Sequence, residues 1–285
     1  MIDSMYIDSL QIHGDGANYA LTNIGAGMLG MPVVRDNRPE RPQRHGLIEL
    51  SQFYSGRVIE LQGIVIGSSI SDAYDKLDAL KLALQIGQGI SSDYESVGVS
   101  TGAPVHTLKF TRVGDAFQQY TRFTVDGEMD VSMDIASRII PWGVTLKCPD
   151  PRFYKIHTAD NMGDYAFVNI LHGTNETFTV GGNTDALPWF TLEGPYTGPA
   201  TITFTTPSPD QTDKVTGDLA DANNIDVVTR TRLCVHNQTI APERIDRANT
   251  DWFTLPPGSC NIAFAIGGGG DSGTICIVRW QDARF

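Results

Sequence analysis

"GRVIELQGIVIGSSISDAYDKLDALKLALQ", residues 56–85, decides how the first half of this chain folds. Residues 56–67 read as a strand with tight turns at its ends. From Ser71 the period changes: Ala73, Leu77, Leu80 and Leu84 recur at helical spacing, so one face of a helix over 71–85 should pack on a sheet. Ser71 is placed to cap that helix and Gly87 to close it. Asp72 and Asp75 lie at the end where the dipole favours negative charge.

Around this unit the chain reads as strands and loops. "SMYIDSLQIHG" (4–14) alternates like an opening strand. Residues 31–46, "MPVVRDNRPERPQRHG", carry three prolines, with Arg35, Arg38, Arg41 and Arg44 at every third position. Prolines exclude both a helix interior and a central strand, so this is an extended arm, placed to reach an acidic neighbour or to remain a solvated loop. Residues 89–104 are a Gly/Ser-rich loop. "VHTLKFTR" and "FQQYTRFTV" follow as two strands about the turn "VGDA". In "EMDVSMDIA", Met129, Val131, Met133 and Ile135 face one way; Glu128, Asp130, Ser132 and Asp134 face the other. "WGVTLKCPDPRFY" (142–154) ends the first half in a Pro-Asp-Pro bend.

After about residue 160 the helical pattern stops. "TFTVGG", "PWFTLEG", "PATITFTT", "IDVVTRTRLCVH", "DWFTL", "CNIAFAI" and "TICIVRW" follow as short strands between turn-forming clusters. That spacing predicts a second domain of β-sandwich or jelly-roll type.

Composition limits the function. The chain has 285 residues and a formal charge of −12; residues 156–285 hold 7 basic and 15 acidic side chains, which is −8 of that total. Such a surface repels phosphate backbones and anionic lipid. No apolar run is long enough to span a bilayer, and "MIDSMYIDSL" has no secretory pattern, so synthesis in a cytoplasm without membrane insertion is expected. Cys148, Cys234, Cys260 and Cys276 form no C-x-x-C pair and read as buried, reduced thiols.

Two stretches imitate catalytic motifs. "GGGGDSGTI" (267–275) contains the Gly-Asp-Ser-Gly of chymotrypsin-like proteases, but no histidine has that family's context. Ser272 also stands 13 residues from the last residue, too near to build a specificity pocket. Flanked by strand-like runs, the stretch reads as a hairpin turn. "GAGMLG" (25–30) fits a dinucleotide fingerprint, which must open a helix; Pro32 follows at once, so a turn is expected. Trp189, Trp252 and Trp280 are expected in the core rather than on a sugar-stacking platform. No catalytic, cofactor-binding or metal-binding residue is assigned, and no enzyme is expected.

The order of segments resembles the distal tail proteins of long-tailed bacteriophages. The resemblance rests on "G-R-x-I-x-L-x-G" at Gly56 to Gly63 leading into the helix, and on Asp-Pro-Arg-Phe at Asp150 to Phe153. The closing "DWFTLPPGSCNIAFAI" and "VRWQDARF" look like minor tail proteins of actinobacterial phages. The resemblance implies a tail-tube-like β-sandwich or split barrel with one α-helix over 1–158, and a galectin-like sandwich over 159–285. It also implies a six-fold ring at the distal end of the tail, joining the tail tube to baseplate or hub proteins and to side fibres or receptor-binding proteins. DNA would pass through its channel without specific binding. Arg35, Arg38, Arg41 and Arg44 are then subunit-interface candidates, and Glu128, Asp130 and Asp134 channel-lining candidates. The competing reading is a carbohydrate-binding module contacting host-wall sugar through the second domain.

Overall fold

Alternation of burial along residues 57–66 produces the longest strand pair of the first unit. In this computed structural model, which describes residues 2–35, 53–85, 106–132, 137–156, 165–205, 211–216, 219, 223–229, 232–237, 239–268 and 273–285, the chain divides into two compact units. One holds the described residues through Phe153 together with Phe285; the other holds those of Tyr154–Arg284.

The first unit contains β1 (Ile2–Ile7), β2 (Leu10–His13), β3 (Tyr19–Ile24), α1 (Ala26–Leu29), β4 (Val34–Arg35), β5 (Phe53–Tyr54), β6 (Arg57–Ile66), α2 (Ile70–Ala83), β7 (His106–Arg112), β8 (Gln119–Val125), β9 (Asp130–Val131) and β10 (Ile139–Cys148). Its strands pair in the order β2-β1-β7-β8-β10-β6-β3, with β9 added to β10. The sheet curls so far that its two edges meet: the Leu21 amide donates to His13 Nδ1 at 3.4 Å, joining β3 to β2. β6 and β10 pair over ten residues, from Arg57↔Cys148 to Ile66↔Ile139. Ile59, Leu61 and Val65 meet Trp142, Val144 and Leu146 on the inner face, and Ala73, Leu77 and Leu80 of α2 complete that core. Gly63 is opposite Trp142, and a Cβ there would come within 2.7 Å of the indole. The missing side chain makes room for the ring.

α2 begins two residues earlier than Ser71 would place it. Ser69 is the cap, its hydroxyl accepting from the Asp72 amide at 3.1 Å. Asp72 bonds the Ser68 amide and Lys76, and these bonds hold its carboxyl down at about 2. Gly87 lies outside the described residues. "GAGMLG" is a second correction. It is no plain turn, because Ala26–Leu29 form one turn of helix. A Cβ on Gly27 would lie 1.6 Å from the Val58 carbonyl oxygen, so its glycine serves close packing on β6 and not a phosphate.

The second unit contains β11 (Phe153–Lys155, entered from the first unit), β12 (Ala166–Leu171), β13 (Thr174–Val180), β14 (Trp189–Glu193), β15 (Ala200–Phe204), β16 (Gln211–Val215), β17 (Asn224–Val228), β18 (Leu233–His236), β19 (Thr239–Ile240), β20 (Gly258–Ile266), β21 (Ile275–Trp280) and β22 (Ala283–Arg284). β12-β21-β14-β17-β18-β19 form one antiparallel sheet and β13-β20-β15-β16 another. Between them lies a core of Phe190, Leu192, Ile202, Phe204, Phe253, Ile262, Phe264 and Val278, with Phe253 5.4 Å from both Phe190 and Phe204. This is the expected sandwich.

Three strand expectations change here. "IDVVTRTRLCVH" is two strands, β17 and β18. "DWFTL" (251–255) is irregular apart from a single bridge from Leu255 to Ala186, and residues 244–251 leading into it run along β16 as a strap, through Thr216 N to Arg244 O, Asp246 N to Lys214 O and Asp251 N to Thr212 O. "GGGGDSGTI" is not a hairpin, because β20 and β21 belong to different sheets; its residues 269–272 lie outside the described residues.

Candidate functional site: the outer sheet face and its motif clamp

On β6 and β10 the residues that alternate with the core point outward: Glu60, Gln62 and Ile64 on one strand, Pro141, Gly143, Thr145 and Lys147 on the other. Asp130, on β9, is opposite Gly143, and its Cβ lies 3.9 Å from the position a Gly143 Cβ would take. It therefore stands on this same outer face. Thr22, Gln62, Asp130, Ser132 and Pro141 line a shallow open depression there. Glu128 and Ser132 are exposed, while Met129 and Val131 pack against the core. The predicted segregation holds over these described residues, although only Asp130–Val131 is strand.

Asp134 lies outside the described residues. Lys147 moderates the negative charge, and Glu60 adds to it. Glu60 was the residue missed: it alternates with Ile59 and Leu61 within the strand already read from 56–67, and that period points it outward. Arg35 is in β4, whose backbone pairs with β5. Arg38, Arg41, Arg44 and the loop 89–104 lie outside the described residues.

The motifs that carried the resemblance converge. Arg57 is 2% exposed. Its Nε donates to the Pro151 carbonyl at 2.8 Å, and one terminal nitrogen donates to the Gly27 and Gly30 carbonyls at 2.6 and 2.7 Å. The guanidinium lies over Phe153. Burial lowers its pKa from the ordinary arginine value, and the carbonyl set keeps the cation solvated by protein. Asp150 accepts from Arg152 Nε at 2.9 Å and from its Nη2 at 3.0 Å, fixing the bend that presents Pro151.

In the second unit, "W-x-D-A" has a comparable role. Asp282 accepts from the Gly181 amide at 2.7 Å, and Ala283 accepts from Asn183 at 3.0 Å. Gly181 and Gly182 have no room for a Cβ against Asp282 and Ala283.

The thiols are closed off. The four cysteines are free and buried; burial pushes Cys148 up to about 11 and Cys234 to about 12, so neither is a thiolate at neutral pH. Trp189 and Trp280 are buried and Trp252 is half-buried. On the six-stranded sheet, Trp189 Nε1 and Asn224 Nδ2 each donate to Asp226 at 3.0 Å, and Arg279 covers the Trp189 ring. Among the described residues no cluster of three or more His, Cys, Asp or Glu could hold a metal ion, and no helix is long and apolar enough to cross a membrane.

No protein-family model matches the chain, and no curated protein does. Among solved structures it is similar to the Dit protein (gp 19.1) of phage SPP1, described as a paradigm of the hub adsorption apparatus in phages infecting Gram-positive bacteria. The TM-score is 0.66 at 11% identity, over 98% of each chain. Two structures of the phage P2 baseplate in its activated conformation are also similar. The one with Ca has a TM-score of 0.48 at 11% identity, over 100% of this chain and 99% of the other; the one with Sr has 0.46 at 10%, over 97% of each. At such identities the likeness establishes the fold, which is that of Dit. It gives no support to an actinobacterial host.

Proposed function

We propose that this chain is a structural protein of a phage tail's distal end: a hub that forms a six-fold ring and joins the tail tube to baseplate and receptor-binding or side-fibre proteins. The observation that carries the reading is the Dit fold along 98% of the chain, covering both units rather than a generic sandwich alone. In this reading the outer face of β6, β10 and β9 lines the channel. Asp130 and Glu128, with Glu60 added and Asp134 further along the chain, repel passing DNA, so that it slides without binding. Arg35, Arg38, Arg41 and Arg44 make the subunit contact.

The chain acts without cofactor or catalysis in this reading. The sugar-binding alternative gains nothing from the tryptophans, since a stacking platform needs exposed rings; Trp280 is in the sandwich core, and Trp189 is buried in a separate small cluster under Arg279. Light scattering on the purified chain tests the ring. A mass of about six subunits is predicted, alone or once tail-tube protein is added; a mass of one subunit under both conditions contradicts it.

A further inference from the structure

The two edges of the four-stranded sheet are treated differently. β16 is strapped: Thr250 Oγ1 accepts from the Lys214 amide, Asp251 Oδ2 accepts from the Thr212 amide, and the Asp246 and Asp251 amides donate to the Lys214 and Thr212 carbonyls. Among the described residues β13, at the opposite edge, pairs only with β20. Asn261 gives its carbonyl to Thr205 next to β15, so Cys260 and Ile262 turn theirs towards β13. Glu176 and Phe178 are opposite these two, and alternation therefore directs the N–H and C=O groups of Asn175, Thr177 and Thr179 away from the sheet. Asn175, Glu176, Thr177 and Thr179 are all exposed. An exposed edge of seven residues with β-forming composition is a template for another strand, and the one charge that guards it is Glu176.

We propose that β13 pairs antiparallel with β13 of a second copy of this chain, about a two-fold axis at Thr177. Outward-pointing residues must meet one another, which restricts the register to odd positions against odd. Setting Asn175 against Thr177 brings the two Glu176 side chains face to face, and repulsion excludes it. Setting Thr177 against itself matches Asn175 with Thr179 and Glu176 with Phe178, with no like charges opposed. Phe178 is half-buried and stacks on Trp280 at 4.5 Å, so the second copy's strand would also shield this end of the core. The contact uses only the second unit and is independent of the proposed ring.

Because the four native cysteines are buried, a Thr177→Cys variant of the full chain presents a new accessible thiol on the axis. Mild oxidation should convert most of it to a covalent dimer on a non-reducing denaturing gel. Ser259→Cys, exposed on the central strand β20, should stay monomeric on that gel. Thr177→Pro removes one outward N–H at an edge where proline is tolerated; it should keep the wild-type circular dichroism but lose the pairwise rise of mass with concentration in light scattering. If Thr177→Cys links no better than Ser259→Cys, or Thr177→Pro still pairs, β13 does not pair with itself. A six-subunit mass that survives in Thr177→Pro leaves the ring standing; linked dimers that never reach six subunits sink the ring and keep the pairing.

Discussion

The guanidinium carbon of Arg57 lies 4.5 Å from the centroid of the Phe153 ring. These residues are far apart in sequence, and their contact explains why the two motifs occur together. Strand β6 begins with a cation, and the bend after β10 supplies a carbonyl and an aromatic face to receive it. Replacing Arg57 with Met leaves the Pro151, Gly27 and Gly30 carbonyls without their donor. Hydrogen bonds to a charged group contribute about 1.5–3 kcal/mol each but are not additive, so a loss of about 3 kcal/mol or more is predicted. Urea denaturation of the variant measures it, and a change under about 1 kcal/mol would remove the clamp from the account.

Gly27 and Gly143 make a paired test of packing. Gly27→Ala forces its Cβ into the Val58 carbonyl, whereas Gly143→Ala meets nothing nearer than 3.8 Å. The first should cost about 1–3 kcal/mol or more by overpacking, and the second well under that. Comparing the two melting temperatures checks the order.

Asp213 has no exposed surface. One oxygen accepts from the Trp252 amide at 2.9 Å, and the other has no hydrogen-bond partner among the described residues. Burial, with Asp251 nearby, raises its pKa to about 6. The native state then holds this proton more tightly than the unfolded chain does. Its contribution to stability is full below about pH 4 and lost as pH rises through about 6. Asp213→Asn should therefore stabilise the protein at pH 8, by up to about 3 kcal/mol, and converge with the parent near pH 4. Denaturation at the two pH values measures it; equal effects at both contradict the burial argument.

Burial of the thiols predicts reactivity. A neutral thiol-reactive dye should leave the native chain unlabelled over minutes and label four sites after denaturation. Fast labelling of the native protein would show a cysteine to be accessible.

Periodicity made much of this legible. The inward set of α2, the strand at 56–67 and the inward Met129 and Val131 follow from spacing alone, because burial imposes a fixed period on either element. What spacing could not give depended on distant partners. Trp252 looks like part of a strand, yet it sits at φ +50 with its amide taken by Asp213. Ser69 and Ser71 both fit a cap, and only the geometry at the end of β6 selects the first. The carboxylate face was read from one segment, while Glu60 joins it through pairing of β6 with β10 and β9 with β10.

Function enters through that face. If it lines a DNA channel, Asp130→Lys places a cation beside the passing backbone and should slow DNA ejection measurably at low salt, with the effect shrinking as salt rises. Unchanged ejection kinetics would remove Asp130 from the channel while leaving the fold assignment intact.

Immunogold electron microscopy of phage particles containing this chain tests the central claim most directly. The account predicts label at the distal end of the tail, where tube and host-recognition apparatus meet. Label on the capsid or along the tube, or particles that carry none of the chain, would contradict it.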